Sequence, residues 1–195
     1  MTAAIAPAPE RARSPRARAA LDAALALVAE VGFANVTVDG IAARAGVGKA
    51  TIYRYWPSKA ALVVEALEAL PRAARRPSSG DLRADLVVVL DALAQAVHTG
   101  SAGRILPSLV DAAERDPELA GLFARFVAQR RRCTLDHLEA AAAAGTLPAG
   151  CDVELAADLL TGPLFYRRLL SRAPVDRAYI ERLVDTVLRG VGAEA

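Results

Sequence analysis

An all-α fold is what this sequence predicts, and three observations carry the prediction. The 195 residues are rich in Ala, Leu and Arg, all good helix formers. Aromatic residues make up 5% of the chain, and no sustained period-2 alternation marks a half-buried strand. Apolar residues instead recur at three- and four-residue spacing along most of the length.

Each helix has its own signal. Ser14 followed by Pro15 reads as an N-cap with proline at the first helical position, and Leu21, Leu25, Val28 and Val31 then recur on one face. Gly32 stops that helix, with Phe33 placed to fold back over its last turn. Thr37 caps a short second helix that ends at Ala45, and Gly46 before Val47 has the form of a glycine C-cap. A third helix starts at Gly48 or Lys49 and ends before Pro57, since proline disfavours helical dihedrals in the residue before it. Ser58 caps a fourth, which reaches about Leu70, and the Pro-, Arg- and Ser-rich stretch 71–80 reads as a connector.

The remaining helices are longer. Leu82, Leu86, Val89, Leu90, Leu93 and Val97 form a stripe broad enough for the middle of a bundle, and residues 100–103 break it. A short helix over 104–114 carries Pro107 in its first turn, and Asp116 with Pro117 starts a long one that Gly145 ends. Asp152 opens a helix to about Ser171, kinked near Gly162 and Pro163, and Asp176 opens a last one ending at Gly190. The expectation is about nine helices in three pieces: a basic arm (1–14), a three-helix head (15–58) and a larger helical body (59–195).

Composition narrows the function. With 54% apolar and 24% charged residues the chain must bury a core, which excludes disordered and collagen-like classes. No apolar run approaches the roughly 20 residues needed to cross a bilayer, and Pro7, Pro9 and Glu10 interrupt any signal-peptide core, so a cytoplasmic protein without a membrane partner is expected. Cys133 and Cys151 form no CxxC pair, and with His98 and His137 as the available imidazoles neither a disulfide framework, a metal site nor a cofactor is expected. The net charge of +2 is unevenly placed: residues 1–59 carry +4 and the remainder −2. A basic head on a mildly acidic body suits a polyanion-binding protein, and a solvated charged face gives the same sum.

Three short helices, the last two joined by a tight glycine turn, form a helix-turn-helix pattern whose later helix enters the major groove of duplex DNA. The run Thr37-Val38-Asp39-Gly40-Ile41-Ala42-Ala43-Arg44-Ala45-Gly46-Val47-Gly48-Lys49-Ala50-Thr51-Ile52-Tyr53-Arg54-Tyr55-Trp56-Pro57-Ser58-Lys59 resembles the N-terminal domain of the tetracycline-repressor (TetR) family of bacterial transcription regulators, over residues 16–67. The chain departs from the usual pattern in having Gly40 where an acidic residue is common, Gly48 where serine is common, and Tyr55 and Trp56 where His and Phe often stand. Gly48 still serves as an N-cap, whereas Gly40 weakens the second helix by about 0.5–1 kcal/mol relative to Ala. The third helix offers Lys49, Ala50, Tyr53 and Arg54 outward, with Val47, Ile52 and Trp56 as its apolar side. The resemblance puts Thr37, Thr51, Tyr53 and Lys59 near phosphates, and Lys49, Ala50, Arg54 and Tyr55 near base edges. Arg11, Arg13, Arg16 and Arg18 suit either backbone tracking or a solvated tail.

The segment Gly46-Val47-Gly48-Lys49-Ala50-Thr51 mimics the end of a phosphate-binding loop. That motif needs Gly where Ala43 stands, Ser or Thr where Ala50 stands, and a preceding strand, so a nucleotide-hydrolysing enzyme is not expected.

For the body, the resemblance rests on helix order and on residues 162–170. It implies a homodimer through the last two helices, with Val153, Leu160, Leu164 and Arg167 on one and Tyr179, Leu183, Val187 and Val191 on the other. The same spacings would serve an internal core. It also implies an effector pocket among the central helices, for which the candidates are Leu90, Leu106, Leu109, Phe126, Arg130 and His137, a lining suited to an apolar or amphipathic small molecule. Arg130, Arg131 and Arg132 fan around a helix and read as a solvated face. The expected function is therefore a non-enzymatic transcription repressor that binds a palindromic operator and leaves it when a ligand binds; a helical protein-interaction module or an enzyme are the alternatives.

Overall fold

The structure, a computed structural model, describes residues 14–70 and 79–192. The arm over 1–13, with Arg11 and Arg13, and most of the expected connector lie outside the described residues. Among those described there are nine α-helices and no strand: α1 (Pro15–Val31), α2 (Val38–Ala45), α3 (Lys49–Tyr55), α4 (Lys59–Glu68), α5 (Leu82–His98), α6 (Ser101–Ala113), α7 (Pro117–Ala143), α8 (Val153–Tyr166) and α9 (Arg177–Gly190). A 3-10 turn over Phe33–Asn35 joins α1 to α2, and a π-helical turn over Arg167–Ser171 extends α8.

The described residues pack as two compact units, one of residues 14–70 with 105–126 and one of 79–104 with 127–192. The boundary expected at 58/59 is not where the packing divides. Apolar Leu62, Val63, Val64 and Leu67 of α4 and Ile105, Leu109 and Leu119 of α6 and α7 share one core with Leu21, Val28, Phe33, Ile41, Ile52 and Trp56. A head of three short helices has too little apolar surface to stand alone, and these additions supply it.

The second unit has its own core, in which Leu86 and Leu90 of α5 meet Leu138 of α7, Leu160 and Leu164 of α8, and Val184 of α9. Arg83 of α5 pairs with Asp185 of α9 at 2.5 Å on its rim. Arg131, expected on a solvated face, is bound by Glu154 and, at 2.9 Å, by Asp158 of α8.

Two boundaries differ from expectation. Residues 100–103 do not break the chain up to Arg104, because α6 begins at Ser101 and takes in Gly103. A Cβ on Gly103 would lie 1.9 Å from the Val97 carbonyl oxygen, so only glycine lets α6 start this close to the end of α5. The Arg168 guanidinium, on the π-helical turn, donates to the Val97 carbonyl at 3.1 Å and also to that of Gly103. The expected α8 likewise divides into an α-helix and the π turn, and the His98 ring nitrogen pairs with the Leu164 carbonyl 3.1 Å away.

Candidate nucleic-acid interface

The turn between α2 and α3 is built from its capping residues. Thr37, in extended conformation, accepts a 3.0 Å hydrogen bond on Oγ1 from the Gly40 amide, satisfying one of the free donors at the start of α2. A Cβ on Gly40 would stand 3.2 Å from that same oxygen, so the glycine that lowers helix propensity leaves room for the cap. Gly46 takes the left-handed conformation at φ 65°, and the Val47 amide returns to the Ala42 carbonyl at 3.0 Å. Gly48 is extended and α3 begins at the next residue.

The faces of α3 follow from this. Ile52 and the Trp56 that closes the helix are buried, whereas Lys49, Ala50, Tyr53 and Arg54 are exposed, Tyr53 by 50%. Thr51 is half-buried. The outward set is the one the sequence predicts, and it offers a cation at the first position, a methyl, a phenol and a guanidinium.

The charges there already have partners. The Lys49 ammonium lies 2.9 Å from one Asp39 oxygen and 3.0 Å from the other, and this hydrogen-bonded carboxylate raises its pKa above the usual lysine range. Arg44 forms a two-pronged pair with Glu30 of α1 at 2.6 and 2.7 Å, which holds the Glu30 carboxyl below its ordinary range. Tyr55, expected at a base edge, is half-buried with its ring 5.5 Å from that of Trp56. Hydrogen bonds from Ser14 and then from Arg54 lower its phenol pKa. Ser14 thus spends its hydroxyl on Tyr55 and makes no side-chain cap for α1, the role the sequence suggested.

Lys59 likewise has partners within the chain. Its ammonium donates to the Phe33 and Val36 carbonyls, each at 2.9 Å, instead of projecting from the start of α4. Desolvation pushes its pKa down, and the charge of Asp116 pulls partly against that. Ser58 caps α4 as the sequence suggests, whereas two longer-range bonds were not foreseen: Glu65 Oε2 accepts from the Trp56 indole at 2.9 Å, and the Ser58 hydroxyl donates to Glu118 of α7 at 2.7 Å. These partners lie 9 and 60 positions apart, beyond the reach of a local pattern.

The six expected effector residues are drawn from both units. Leu106, Leu109 and Phe126 belong to the unit that holds α3, where Leu109 is core and Phe126 lies 6.0 Å from Phe123, ring to ring. Leu90, Arg130 and His137 belong to the other unit, with Leu90 in its core. His137 is buried there with its Nδ1 3.6 Å from an Asp85 oxygen, one turn from buried Thr134.

The residues expected to pair two copies divide as well. Leu160 and Leu164 are fully buried and Val187 nearly so, inside the chain's own core, and they leave no surface for a partner. Val153, Leu183 and Val191 pack partly against that core, and the Arg167 guanidinium sits 3.6 Å over the Tyr179 ring. The apolar side chains that do face outward are Leu155, Leu159, Tyr166 and Leu170, 47–73% exposed. Their spacing of 4, 7 and 4 residues makes one stripe along α8 and its π turn. Because α8 is apolar on nearly every side, periodicity had no means of choosing between its faces.

Comparison with known proteins gives two family matches. Residues 20–66 match the bacterial regulatory proteins of the tetR family, and residues 76–187 match the tetracyclin repressor-like C-terminal domain. The chain is 37% identical over 180 residues to an uncharacterized HTH-type transcriptional regulator of Bacillus subtilis, YdeS, which covers 90% of this chain and 89% of that protein. It is 34% identical over 179 residues to a DNA-binding transcriptional repressor, TetR, of Mycobacteroides abscessus, covering 89% and 92%. A solved TetR transcriptional regulator from Agrobacterium tumefaciens superposes with a TM-score of 0.73 at 27% identity, over 93% of this chain and 96% of that one.

Proposed function

The chain belongs to the TetR family of helix-turn-helix transcriptional regulators, and from that premise we propose that it is a homodimeric repressor which a small molecule releases from a palindromic operator. The observation that carries the reading is the division of α3 into a buried side, Ile52 with Trp56, and an exposed side, Lys49, Ala50, Tyr53 and Arg54. A helix held on one side by a core and presenting cations and a small methyl on the other suits the major groove, where arginine or lysine reads guanine and a methyl meets thymine. In this reading Lys49, Ala50 and Arg54 face base edges, while Tyr53, Thr51 and Thr37 meet phosphates.

Two copies pair through the exposed stripe of α8 with the accessible side of α9. Four large exposed side chains in one row form the apolar patch that a homodimer interface buries. The ligand is an apolar or amphipathic molecule held in the C-terminal domain, with Thr134, His137 and Asp85 as the polar groups that orient it. Each would work in the cytoplasm, where the operator is, and no catalytic role enters.

Selection of fragments from a random-sequence duplex pool by the purified protein tests the core of this reading. The expected result is a near-palindrome with half-sites about 34–36 Å apart or slightly more. Retention of all sequences alike, or of none, would overturn it.

A further inference from the structure

We propose that Asp39 is a specificity-determining residue: its carboxylate holds the Lys49 ammonium so that this charge adds to affinity where a base edge accepts it and not on unselected DNA. The inference rests on the reading of α2 and α3 as the DNA-binding elements. A surface that meets a polyanion gains affinity from its cations and loses it with each carboxylate. Between Glu30 and Glu65 the sequence has four cations, Arg44, Lys49, Arg54 and Lys59, and one acid, Asp39. That acid sits in the first turn of α2, and Lys49 is the first residue of α3. The Lys49 Nζ lies 2.9 Å from Asp39 Oδ1 and 3.0 Å from Oδ2, so the pair bridges the two helices across their turn.

Stability does not account for the pair. The side chains are 50% and 70% exposed, and ion pairs this open to water contribute little to folding. An acid in the first turn also favours the α2 dipole, a role that asks for no lysine. What the pair does fix is where the ammonium stands and how much of its charge a phosphate meets. A phosphate approaching Lys49 also approaches the Asp39 carboxylate, and the two anions repel. A guanine edge carries no net charge and offers O6 and N7 as acceptors, so it escapes that repulsion. Two carboxylate oxygens engage two of the three N–H donors of an ammonium, which leaves a third for such an acceptor. Asp39 therefore takes affinity from every sequence, and takes least where Lys49 finds a guanine.

The test uses the full chain, a duplex that the wild-type protein selects from a random pool, and a scrambled duplex of the same length. Asp39→Asn keeps the shape and removes one negative charge, while Glu30→Gln removes one from α1 and controls for net charge. Asp39→Asn should raise affinity for the scrambled duplex about tenfold and for the selected one about twofold, and steepen the scrambled-duplex salt slope by about 0.9 as one further cation meets phosphate. Glu30→Gln should leave the ratio of the two affinities within about twofold of its starting value, and so should Asp39→Asn in a Lys49→Met background. In the wild-type protein, which raises no question of folding, the Lys49 15Nζ resonance should move with the selected duplex and hold its position with the scrambled one. An unchanged ratio in Asp39→Asn, a fall as large in the Lys49→Met background, or equal Lys49 shifts on both duplexes would each overturn the proposal. So would a uniform loss on both duplexes, the outcome of a role in α2 stability alone. Failure of the wild-type protein to select any duplex would instead remove the reading on which it stands.

Discussion

Trp56 and Glu65 are joined by a hydrogen bond of 2.9 Å from the indole nitrogen to Oε2, which fastens the residue closing α3 to the middle of α4. Trp56 is buried, so its ring fills core while its single polar atom finds a carboxylate that sequence spacing gave no reason to expect.

Trp56→Phe keeps most of the apolar volume and removes the donor to Glu65. We expect a loss of about 1–3 kcal/mol in unfolding free energy, read by urea denaturation. Glu65→Leu in the same background should recover part of it, because the carboxylate then no longer needs a partner. A Trp56→Phe protein as stable as wild type would show that the bond contributes nothing.

Lys49→Ala should relax base preference at one position of each half-site and lower the ratio of selected to random duplex affinity by about 1–3 kcal/mol. Tyr53→Phe, which removes the proposed phosphate partner, should weaken both duplexes alike. The check is competition binding at two salt concentrations; equal losses on both duplexes for Lys49→Ala would remove it from the base edges.

Substitutions in α8 should separate pairing from folding. Leu159→Arg, at an exposed position, is expected to give folded monomers with greatly weakened operator binding, seen by sedimentation and circular dichroism. Leu164→Ala, at a fully buried one, should leave assembly alone and cost about 2–5 kcal/mol of stability. A dimeric Leu159→Arg protein would place the pairing surface elsewhere.

The carboxylates of Glu30, Asp111, Glu139 and Asp185 are each held below their ordinary range by a hydrogen-bonded arginine: Arg44, Arg115, Arg132 and Arg83. Their folded-state pKa values lie below the unfolded ones, so their contribution is complete above the unfolded values of about 4 and is lost as pH falls through the folded ones. Stability should therefore be flat near neutrality and decline below about pH 4.5. All four pairs are solvent-facing, so the decline should be shallower in 1 M salt. Thermal melts from pH 3 to 7 at two ionic strengths test both points, and a salt-independent acid limb would assign it to other groups.

Ligand release requires reciprocity. A compound that lowers operator affinity 100-fold must favour the released state by about 2.7 kcal/mol, and saturating operator must weaken that compound's binding by the same factor. Calorimetric titration of any releasing compound with and without the selected duplex measures this. Identical affinities in the two titrations would exclude coupling.

The helices and their caps were legible in the sequence because they are local. Thr37, Ser58, Asp152 and Asp176 accept from the amide three residues on, as their types and positions announce. The outward face of α3 was legible for the same reason. Lys59 was not, since its partners lie 23 and 26 residues back and a lysine at a helix start carries no sign of which way its flexible stem folds. Nor was the outward face of α8, or the grouping of residues 105–126 with the first four helices, because both depend on which apolar surfaces meet after the chain has turned several times.

The corner at Gly103 has a bearing on how variation in this chain will be interpreted. Any side chain there collides with the Val97 carbonyl, and Arg168, which binds both carbonyl groups, would stand 3.4 Å from the added carbon, so three segments meet where no atom can be added. In a saturation screen scored on reporter-gene repression, Gly103 and Arg168 should tolerate as little as the outward face of α3. A map of intolerance drawn on the molecule would mark this bend as a hotspot on packing grounds alone. Counter-scoring for soluble protein abundance would separate that hotspot from the residues proposed to read DNA.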